Sequence, residues 1–265
     1  MDHGSGLELG FRWALVFVAI LGALTIRSSL GETAEARFAV LVFSKTTGFR
    51  HHSIRQGIAA IEALGAEHSF AVDTTEDAAR FSDASLARYK AVVFLNTTGD
   101  ILDAGQKAAL ERYIRSGGGF VGIHSASDTE YQWAWYGRLV GAYFASHSLI
   151  QGATVRIEDP NHPSTKGLPA TWKRADEWYN FRSNPRSAVH VLATLDETTY
   201  SGGTMGTDHP IAWCQEIDGV RSWYTAMGHT IESYAEPLFR RHLLGGIESV
   251  TGVAGGCAAG GERPR

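Results

Sequence analysis

The stretch DAGQKAALERYIRSGGGFVGIH, residues 103–124, places a helix, a stop signal and a buried strand in direct succession. Asp103 has a side chain preferred at helix N-caps, and residues 103–115 carry apolar side chains at helical spacing. The glycines at 117–119 end that helix, and residues 120–123 form an apolar run of strand length. A strand without a polar face is typical of a parallel sheet that helices cover on both sides.

The chain on either side of this stretch continues the same alternation. Apolar strands are predicted at 38–44, 68–72 and 91–95, and helices at 53–64 and 81–89. Further strands are predicted at 153–158, 189–195, 211–217 and 221–226, with a closing helix at 234–247. No linker or internal repeat divides the chain. We therefore predict an α/β fold, a single domain with a central, mostly parallel sheet flanked by helices.

Composition narrows the functional class. The chain has 265 residues and a net charge of −4, which argues against a nucleic-acid partner because such proteins carry a basic stripe. With 44% hydrophobic and 20% charged residues, it has the composition of a globular domain. Two cysteines are too few for a disulfide framework or a four-thiolate zinc site. Eleven histidines are more than packing requires, and they point to chemistry.

Both ends of the chain differ from the domain between them, which we place at 37–252. Residues 13–26 are almost wholly apolar between two arginines, so residues 1–31 are predicted to be a signal peptide for export to the periplasm or outside the cell. An uncleaved membrane anchor is the alternative. Residues 253–265 are predicted to be a disordered tail. In an oxidising compartment Cys214 and Cys257 could pair, but the Gly/Ala setting of Cys257 argues against it.

Histidines follow the predicted strands where an open parallel sheet binds its ligands, beyond the carboxyl ends. His51 lies in the segment after the first strand, and His124 follows the strand at 120–123 directly. An imidazole at such a turn can act as a base near neutral pH or bind a metal. The alternative for each is a packed histidine that bonds to backbone. The run at 117–122 matches G-x-G-x-x-G, but it opens a strand instead of a helix and therefore does not indicate a nucleotide site.

Several segments together resemble the ThuA-like (trehalose utilisation) family. They run in family order from about residue 38 to 252, and each alone is weak. They are TGFRHHSI at 47–54, the glycine-rich run to His124, LVGAYF at 139–144 with His147, HPST at 162–165, DEWY at 176–179, NPR at 184–186, DE at 196–197, DHPIAW at 208–213 and YTAMGH at 224–229.

The resemblance implies the fold of the class I glutamine amidotransferases, a flavodoxin-like architecture. In that fold the turn after the fourth strand carries the catalytic cysteine, and here His124 stands at that place. The resemblance therefore argues against glutamine hydrolysis. It also implies that His229, at the end of a late strand, fills the position of the amidotransferase catalytic histidine.

These observations give two groups of candidate site residues. The predicted catalytic residues are His124, His51 and His229, and the predicted substrate-binding residues are His147, Glu177, Trp178, Tyr179 and His209. Neighbours on an extended segment face opposite ways, so we expect Glu177 to enter the site and Asp176 to stay solvated. Aromatic rings suit the apolar faces of sugars, although core packing explains most of them equally well. Three imidazoles with a carboxylate could bind a divalent transition metal. These residues lie far apart in the sequence, so no local motif supports a metal site and the question of a bound metal stays open.

The leading hypothesis is an exported enzyme that acts on a small carbohydrate. From the family's link to trehalose, we expect a keto-sugar or keto-glycoside, made by a sugar oxidoreductase in the same pathway. A histidine base, with or without a metal, would enolise the ketone and drive isomerisation, elimination or hydrolysis. The chain offers no clear pair of opposed carboxylates for hydrolysing an unmodified glycoside. The alternative is a non-catalytic carbohydrate-binding module on the same fold.

Overall fold

The computed structural model describes residues 36–217 and 219–257, and these belong to one compact unit. The predicted signal segment at 1–31 and residues 258–265 of the predicted tail lie outside the described residues. Within the described part of the chain, no helix has the length and apolar character needed to cross a bilayer.

The strands form one large sheet and one small one. Their bounds are β1 Ala39–Phe43, β2 Ala71–Thr75, β3 Ala91–Leu95, β4 Gly119–Ile123, β5 Phe144–His147, β6 Gln151–Ile157, β7 Thr171–Asp176, β8 Tyr179–Phe181, β9 His190–Asp196, β10 Pro210–Ile217 and β11 Val220–Thr225. Nine of them make a sheet in the order β2-β1-β3-β4-β11-β10-β9-β6-β7, and β5 pairs with β8 separately.

The large sheet has a parallel half and an antiparallel half. Strands β2, β1, β3, β4 and β11 pair in parallel, with Val92 opposite Phe120 and Phe120 opposite Ser222. Every side chain of β3 and β4 is buried, which explains their unbroken apolar sequence. The pairs from β11 through β10, β9 and β6 to β7 are antiparallel. The predicted α/β fold with its central parallel sheet is confirmed, and the antiparallel strands extend it.

Five α-helices of the described residues accompany the sheet. They are α1 Ile54–His68, α2 Asp83–Leu86, α3 Ala104–Arg115, α4 Ala134–Val140 and α5 Pro237–Thr251. The predicted start of α3 is confirmed as a capping box, because Asp103 Oδ1 accepts from the backbone N–H of Gln106 at 2.9 Å and the Gln106 side chain accepts from that of Asp103. The predicted stop follows at Gly117, whose φ of 99° lies in the left-handed region.

Local predictions differ from the structure where the sequence pattern is short or polar. The strand predicted at 68–72 starts later because α1 continues to His68. The C-cap of this helix, Ser69, has a left-handed φ of 59°. Only Asp83–Leu86 of the helix predicted at 81–89 is α-helical. Strands β5, β7 and β8 were not predicted. In β7 every second residue is buried, but one of those residues is Arg174, and this charge hides the strand pattern.

The expectation that Cys257 stays unpaired is wrong. Cys214 on β10 and Cys257 form a disulfide, with their Cα atoms 5.7 Å apart. The chain turns back after α5 at Gly252, whose φ is 78°, and the Ala254 N–H donates to the Glu248 carbonyl oxygen at 3.3 Å. The Gly/Ala composition therefore makes a turn that brings Cys257 to the sheet.

Reducing this disulfide is expected to lower the free energy of unfolding by about 4 kcal/mol, because it closes a loop with a sequence separation of 43. Urea unfolding of the oxidised protein, the reduced protein and a Cys257→Ser variant measures the loss. Equal midpoints for all three, or two titratable thiols in the native oxidised protein, would contradict the assignment.

His242 on α5 makes stability depend on pH. It is fully buried, its Nδ1–H donates to the Ser164 carbonyl oxygen at 2.8 Å, and its Nε2 accepts from the Thr225 hydroxyl. Burial lowers the pKa of His242 to about 3. The unfolded chain binds this proton near pH 6.5. Stability is therefore lost as the pH falls below 6.5, by about 1.4 kcal/mol per pH unit from this group.

A His242→Gln variant is expected to remove that share of the pH dependence. Unfolding free energies of wild type and variant at pH 6.5 and pH 5 test the expectation. The variant should lose less stability than wild type over this interval by about 2 kcal/mol. Parallel losses in the two proteins would show that His242 does not titrate as its burial requires.

Candidate functional site

Three histidines follow parallel strands and lie at one edge of the sheet. His51 lies between β1 and α1, His124 follows β4 directly, and His229 lies beyond β11. Since these strands are parallel, their carboxyl ends share one edge, and the three imidazole rings meet there. Ring centroids are 4.8 Å apart for His51 and His124, 5.1 Å for His51 and His229, and 5.2 Å for His124 and His229.

A carboxylate joins the three rings. Glu177, between β7 and β8, places its Oε2 atom 3.0 Å from His229 Nδ1 and 3.5 Å from His124 Nε2. His124 Nε2 and His229 Nδ1 are 3.3 Å apart. One ligand atom from each of His51, His124, Glu177 and His229 lies within 4.8 Å of all the others. We call these four residues the histidine cluster.

The backbone at His124 is held in a conformation that few non-glycine residues adopt. Its φ is 51°, in the left-handed region, immediately after a fully buried strand. The Tyr224 hydroxyl donates to the His124 carbonyl oxygen at 2.8 Å. The ring of Tyr179 packs on the imidazole with centroids 4.1 Å apart. The turn thereby aims the imidazole over the sheet edge.

The tautomer of His124 follows from a backbone contact. Its Nδ1 lies 2.7 Å from the carbonyl oxygen of Ala226, so Nδ1 carries a proton and donates it. Nε2 of the neutral ring then offers a lone pair toward Glu177 Oε2 and His229 Nδ1. Electron-rich atoms that face one another in this way are stabilised by a proton or a cation between them.

His229 is positioned through Asp176, which the sequence analysis expected to be solvated. That expectation is wrong, because Asp176 is fully buried. Its Oδ2 accepts from the Gly228 N–H at 2.9 Å, and its Oδ1 accepts from the His229 N–H at 3.0 Å. Gly228 has a φ of 115°, which requires glycine in the turn before His229.

The charge of Asp176 is balanced inside the fold. The Arg174 guanidinium donates to Asp176 Oδ2 at 2.8 Å and to Glu236 Oε2 at 3.0 Å, and the Ser233 hydroxyl also donates to Asp176. The two neighbouring carboxylates therefore have different roles. Asp176 holds the turn that carries His229, and Glu177 belongs to the histidine cluster. The sequence points to Asp176 and Glu177 as a pair but does not reveal that Asp176 is buried, since its partner Arg174 on β7 gives no local signal.

The histidine cluster shifts the pKa values of its members. Burial, together with His124 and His229, lowers the pKa of His51 to about 2, so its ring stays neutral. Burial alone would raise the pKa of Glu177, but the proximity of the His124 and His229 rings holds it well below its usual value. Burial likewise opposes the charged form of His229, whereas Glu177 raises its pKa overall. A neutral imidazole and an ionised carboxylate are the forms that bind metals.

His147 at the end of β5 lies against the other oxygen of Glu177. Its Nδ1 is 3.0 Å from Glu177 Oε1 and 2.8 Å from the Ser148 carbonyl oxygen. Both neighbours are acceptors, so Nδ1 carries the proton and Nε2 is left with a lone pair. The side chain is 49% exposed. Among the predicted site histidines that contact Glu177, His147 is therefore the most exposed to solvent.

Other predicted site residues lie in different surroundings. Trp178 is fully buried and its indole N–H donates to the Gln151 carbonyl oxygen, so its ring offers no face to a sugar. His209 is fully buried between Glu197 Oε1 at 2.8 Å and the Tyr179 carbonyl oxygen at 2.8 Å, and it supports β8. Tyr179 is buried too, and it reaches the site only through its contact with His124.

Asp128 lies near the histidine cluster, and the sequence did not single it out. It ends the 3₁₀ turn His124–Asp128 and accepts a hydrogen bond from the Tyr131 hydroxyl at 2.5 Å. Burial raises the pKa of Asp128, partly offset by Tyr131 and by the proximity of His124. Its position in the segment after β4 was the available signal, but a lone aspartate in a polar loop does not stand out.

The residues of the histidine cluster fit a divalent transition metal. Three imidazole nitrogens and one carboxylate oxygen are borderline ligands suited to zinc, iron, nickel or copper. With metal–ligand bonds of about 2.0–2.1 Å, tetrahedral ligands lie about 3.3 Å apart. The 3.0, 3.3 and 3.5 Å separations among His124, His229 and Glu177 match that spacing, and the His51 ring closes the set within 4.8 Å.

The fold and the site define an α/β protein with a histidine–carboxylate cluster at the carboxyl edge of a parallel sheet. The model of one protein family, ThuA (trehalose utilisation), matches residues 39–249. The chain belongs to this family, whose role lies in carbohydrate metabolism. No curated protein sequence matches the chain.

Solved structures with the same fold support this assignment. A ThuA-like protein from Bacteroides uniformis superimposes with a TM-score of 0.71 at 25% sequence identity, over 82% of this chain and 92% of its own. A ThuA-like protein from Parabacteroides merdae gives 0.69 at 20% identity, over 86% and 93%. A beta-galactosidase from Bacillus circulans gives 0.54 at 13% identity over 80% of this chain but 31% of its own, and it shares the fold only.

Proposed function

We propose that the protein is a metal-dependent enzyme that enolises a keto-sugar or keto-glycoside at the histidine cluster. The observation that carries the proposal is the convergence of His51, His124, His229 and Glu177 within 4.8 Å at the edge where parallel sheets bind ligands. A divalent cation bound there would supply a Lewis acid that polarises the sugar carbonyl. The family's role in carbohydrate metabolism supports a sugar as the ligand.

In this proposal His147, which the sequence predicted as a substrate-binding residue, moves the proton. A ketone acidifies the C–H bond beside it, and a base must take that proton as the enolate forms. Glu177 Oε1 and the Ser148 carbonyl oxygen hold Nδ1–H of His147, so Nε2 presents its lone pair from a half-exposed ring. Glu177 thus contacts both the metal-binding residues and the base. Its Oε2 atom faces His229, and its Oε1 atom faces His147.

The thiol chemistry of the amidotransferases does not apply to this chain. Both of its cysteines, Cys214 and Cys257, form the disulfide, and His124 occupies the turn after β4. Neither cysteine is therefore a nucleophile for glutamine hydrolysis.

We also propose that the protein is exported and that it acts after a sugar-oxidising enzyme. Disulfides persist in oxidising compartments, so the Cys214–Cys257 bond supports export, with a membrane-anchored form as the variant of the same idea. The substrate's ketone must be made by oxidation of a sugar hydroxyl. We therefore place a sugar oxidoreductase before this enzyme in the reaction sequence.

A His147→Ala variant is expected to lower the turnover of a keto-glycoside by about a hundredfold or more and to leave metal content unchanged. The matched control is His52→Ala, since His52 is an exposed histidine beside the histidine cluster but outside it. The readouts are turnover with the metal-loaded protein and metal per chain by elemental analysis. Unchanged turnover in His147→Ala would contradict the role of His147. Sugar binding by wild type without turnover of any keto-sugar would favour the carbohydrate-binding module.

A further inference from the structure

Exposed apolar side chains are concentrated around the site. Large hydrophobic residues stand exposed at five positions of the described chain: Phe49, Leu149, Ile150, Ile231 and Val253. All but Val253 lie within three residues of His51, His147 or His229. We call Phe49, Leu149, Ile150 and Ile231 the apolar rim. Exposed apolar surface that collects at one place marks a binding site more often than a folding requirement.

Phe49 is fixed beside the histidine cluster. The residue is 61% exposed, and its ring meets the His51 ring edge to face, with centroids 4.9 Å apart. Its carbonyl oxygen accepts from the Thr98 hydroxyl at 2.9 Å, which anchors the backbone at this point. An exposed phenyl ring in contact with a member of the histidine cluster is available to a molecule bound there.

Leu149 and Ile150 follow His147 on an anchored segment. The Ser148 N–H donates to the Trp178 carbonyl oxygen at 3.0 Å, and the Trp178 N–H donates to the Ser148 hydroxyl oxygen at 3.3 Å. Trp178 is the neighbour of Glu177 in sequence, so this segment is tied to the histidine cluster. At about 3.8 Å per residue, the Leu149 Cα lies within roughly 8 Å of the His147 Cα.

Ile231 is the fourth residue of the rim and lies two residues after His229. We infer that the substrate is a glycoside with an apolar aglycone, aromatic or alkyl, that lies on the apolar rim while its sugar reaches the histidine cluster. Four large apolar side chains favour an apolar group over a second sugar, because burying apolar area against them gains free energy that sugar hydroxyls do not supply. The inference rests on the proposed function for the reacting group, whereas binding of the aglycone is measurable without any reaction.

The test compares unoxidised methyl β-glucoside and phenyl β-glucoside by calorimetric titration of the full-length protein. Wild type is expected to bind the phenyl glucoside about tenfold more tightly than the methyl glucoside. In Phe49→Ala and Leu149→Ala variants this preference is expected to fall to about twofold. The matched pair is Ile231→Ala and Val253→Ala, because both residues are 44% exposed and only Ile231 borders the site. Val253→Ala should keep the full preference.

The outcomes separate this inference from the proposed chemistry. Equal affinities for the two glucosides in wild type, or no binding of either, would overturn the apolar aglycone even if keto-glycosides are turned over. A phenyl preference that Phe49→Ala and Leu149→Ala leave intact would also overturn it. A preference lost in those variants would support the rim even if no keto-glycoside reacts. Rim-dependent binding to phosphatidylcholine vesicles without a glucoside preference would assign the rim to a membrane and overturn the inference.

Discussion

A His124→Ala variant is expected to lose its metal and with it all measurable turnover of a keto-glycoside. His124 supplies the ring nitrogen that lies 3.3 Å from His229 Nδ1 and 3.5 Å from Glu177 Oε2. Removing a direct ligand should weaken metal binding by more than the tenfold to hundredfold typical of groups behind the ligands, so we expect a loss above about a hundredfold. The measurement is a competition titration against a chelator of known affinity.

The fold should survive this change. The His124 side chain donates to the Ala226 carbonyl oxygen, and a water molecule can replace that hydrogen bond in the space that the ring leaves. Alanine adopts a left-handed φ of 51° less readily than histidine, so the variant is expected to lose some stability while it keeps the fold. Circular dichroism and the unfolding midpoint check this, with His52→Ala as the control for both metal and turnover. Wild-type metal affinity in His124→Ala would contradict the assignment of the ligands.

An Asp176→Asn variant is expected to be strongly destabilised and to lose metal affinity as well. Asp176 and Arg174 form a buried ion pair at 2.8 Å, and breaking such a pair from one side costs about 3–5 kcal/mol. Glu236 still faces Arg174, which places the expected loss toward the lower end of that range. The amide group of asparagine would also face one of the two backbone N–H donors at Gly228 and His229.

Since those two donors set the turn that carries His229, metal affinity should fall by about tenfold to a hundredfold. Asp208→Asn is the matched control. Asp208 pairs with Arg186, but both side chains are largely solvent-exposed, at 39% and 42%, so its loss should cost less than about 1 kcal/mol and leave the metal in place. Similar unfolding free energies for the two variants, with equal metal affinity, would show that Asp176 does not organise the site.

The sequence predicts the parallel half of the fold well, because its strands are buried on both faces. The runs at 91–95 and 120–123 are apolar throughout, and the capping residue Asp103 and the glycines after α3 mark the helix between them. The antiparallel extension is harder to predict. Its strands mix charged and apolar residues, as the buried Arg174 on β7 shows, and their pairing depends on contacts far apart in the chain.

For the site, strand order explains what the sequence reveals. His51 and His124 could be placed at one edge because each follows a strand of the parallel sheet, and the family resemblance added His229. The buried role of Asp176 and the 3₁₀ turn that ends at Asp128 depend on tertiary contacts that no local pattern shows. The burial of Trp178 is not visible in the sequence for the same reason, since an aromatic residue beside a site residue can face the core.

We propose that His51, His124, His229 and Glu177 hold one divalent transition metal. X-ray absorption on the full-length protein loaded with one equivalent of Zn²⁺ reports this ligand set. The expected spectrum has a nearest shell of nitrogen and oxygen ligands at about 2.0–2.1 Å with outer-shell scattering from three imidazole rings. A spectrum of hydrated zinc alone, without imidazole scattering, would contradict metal binding at the histidine cluster.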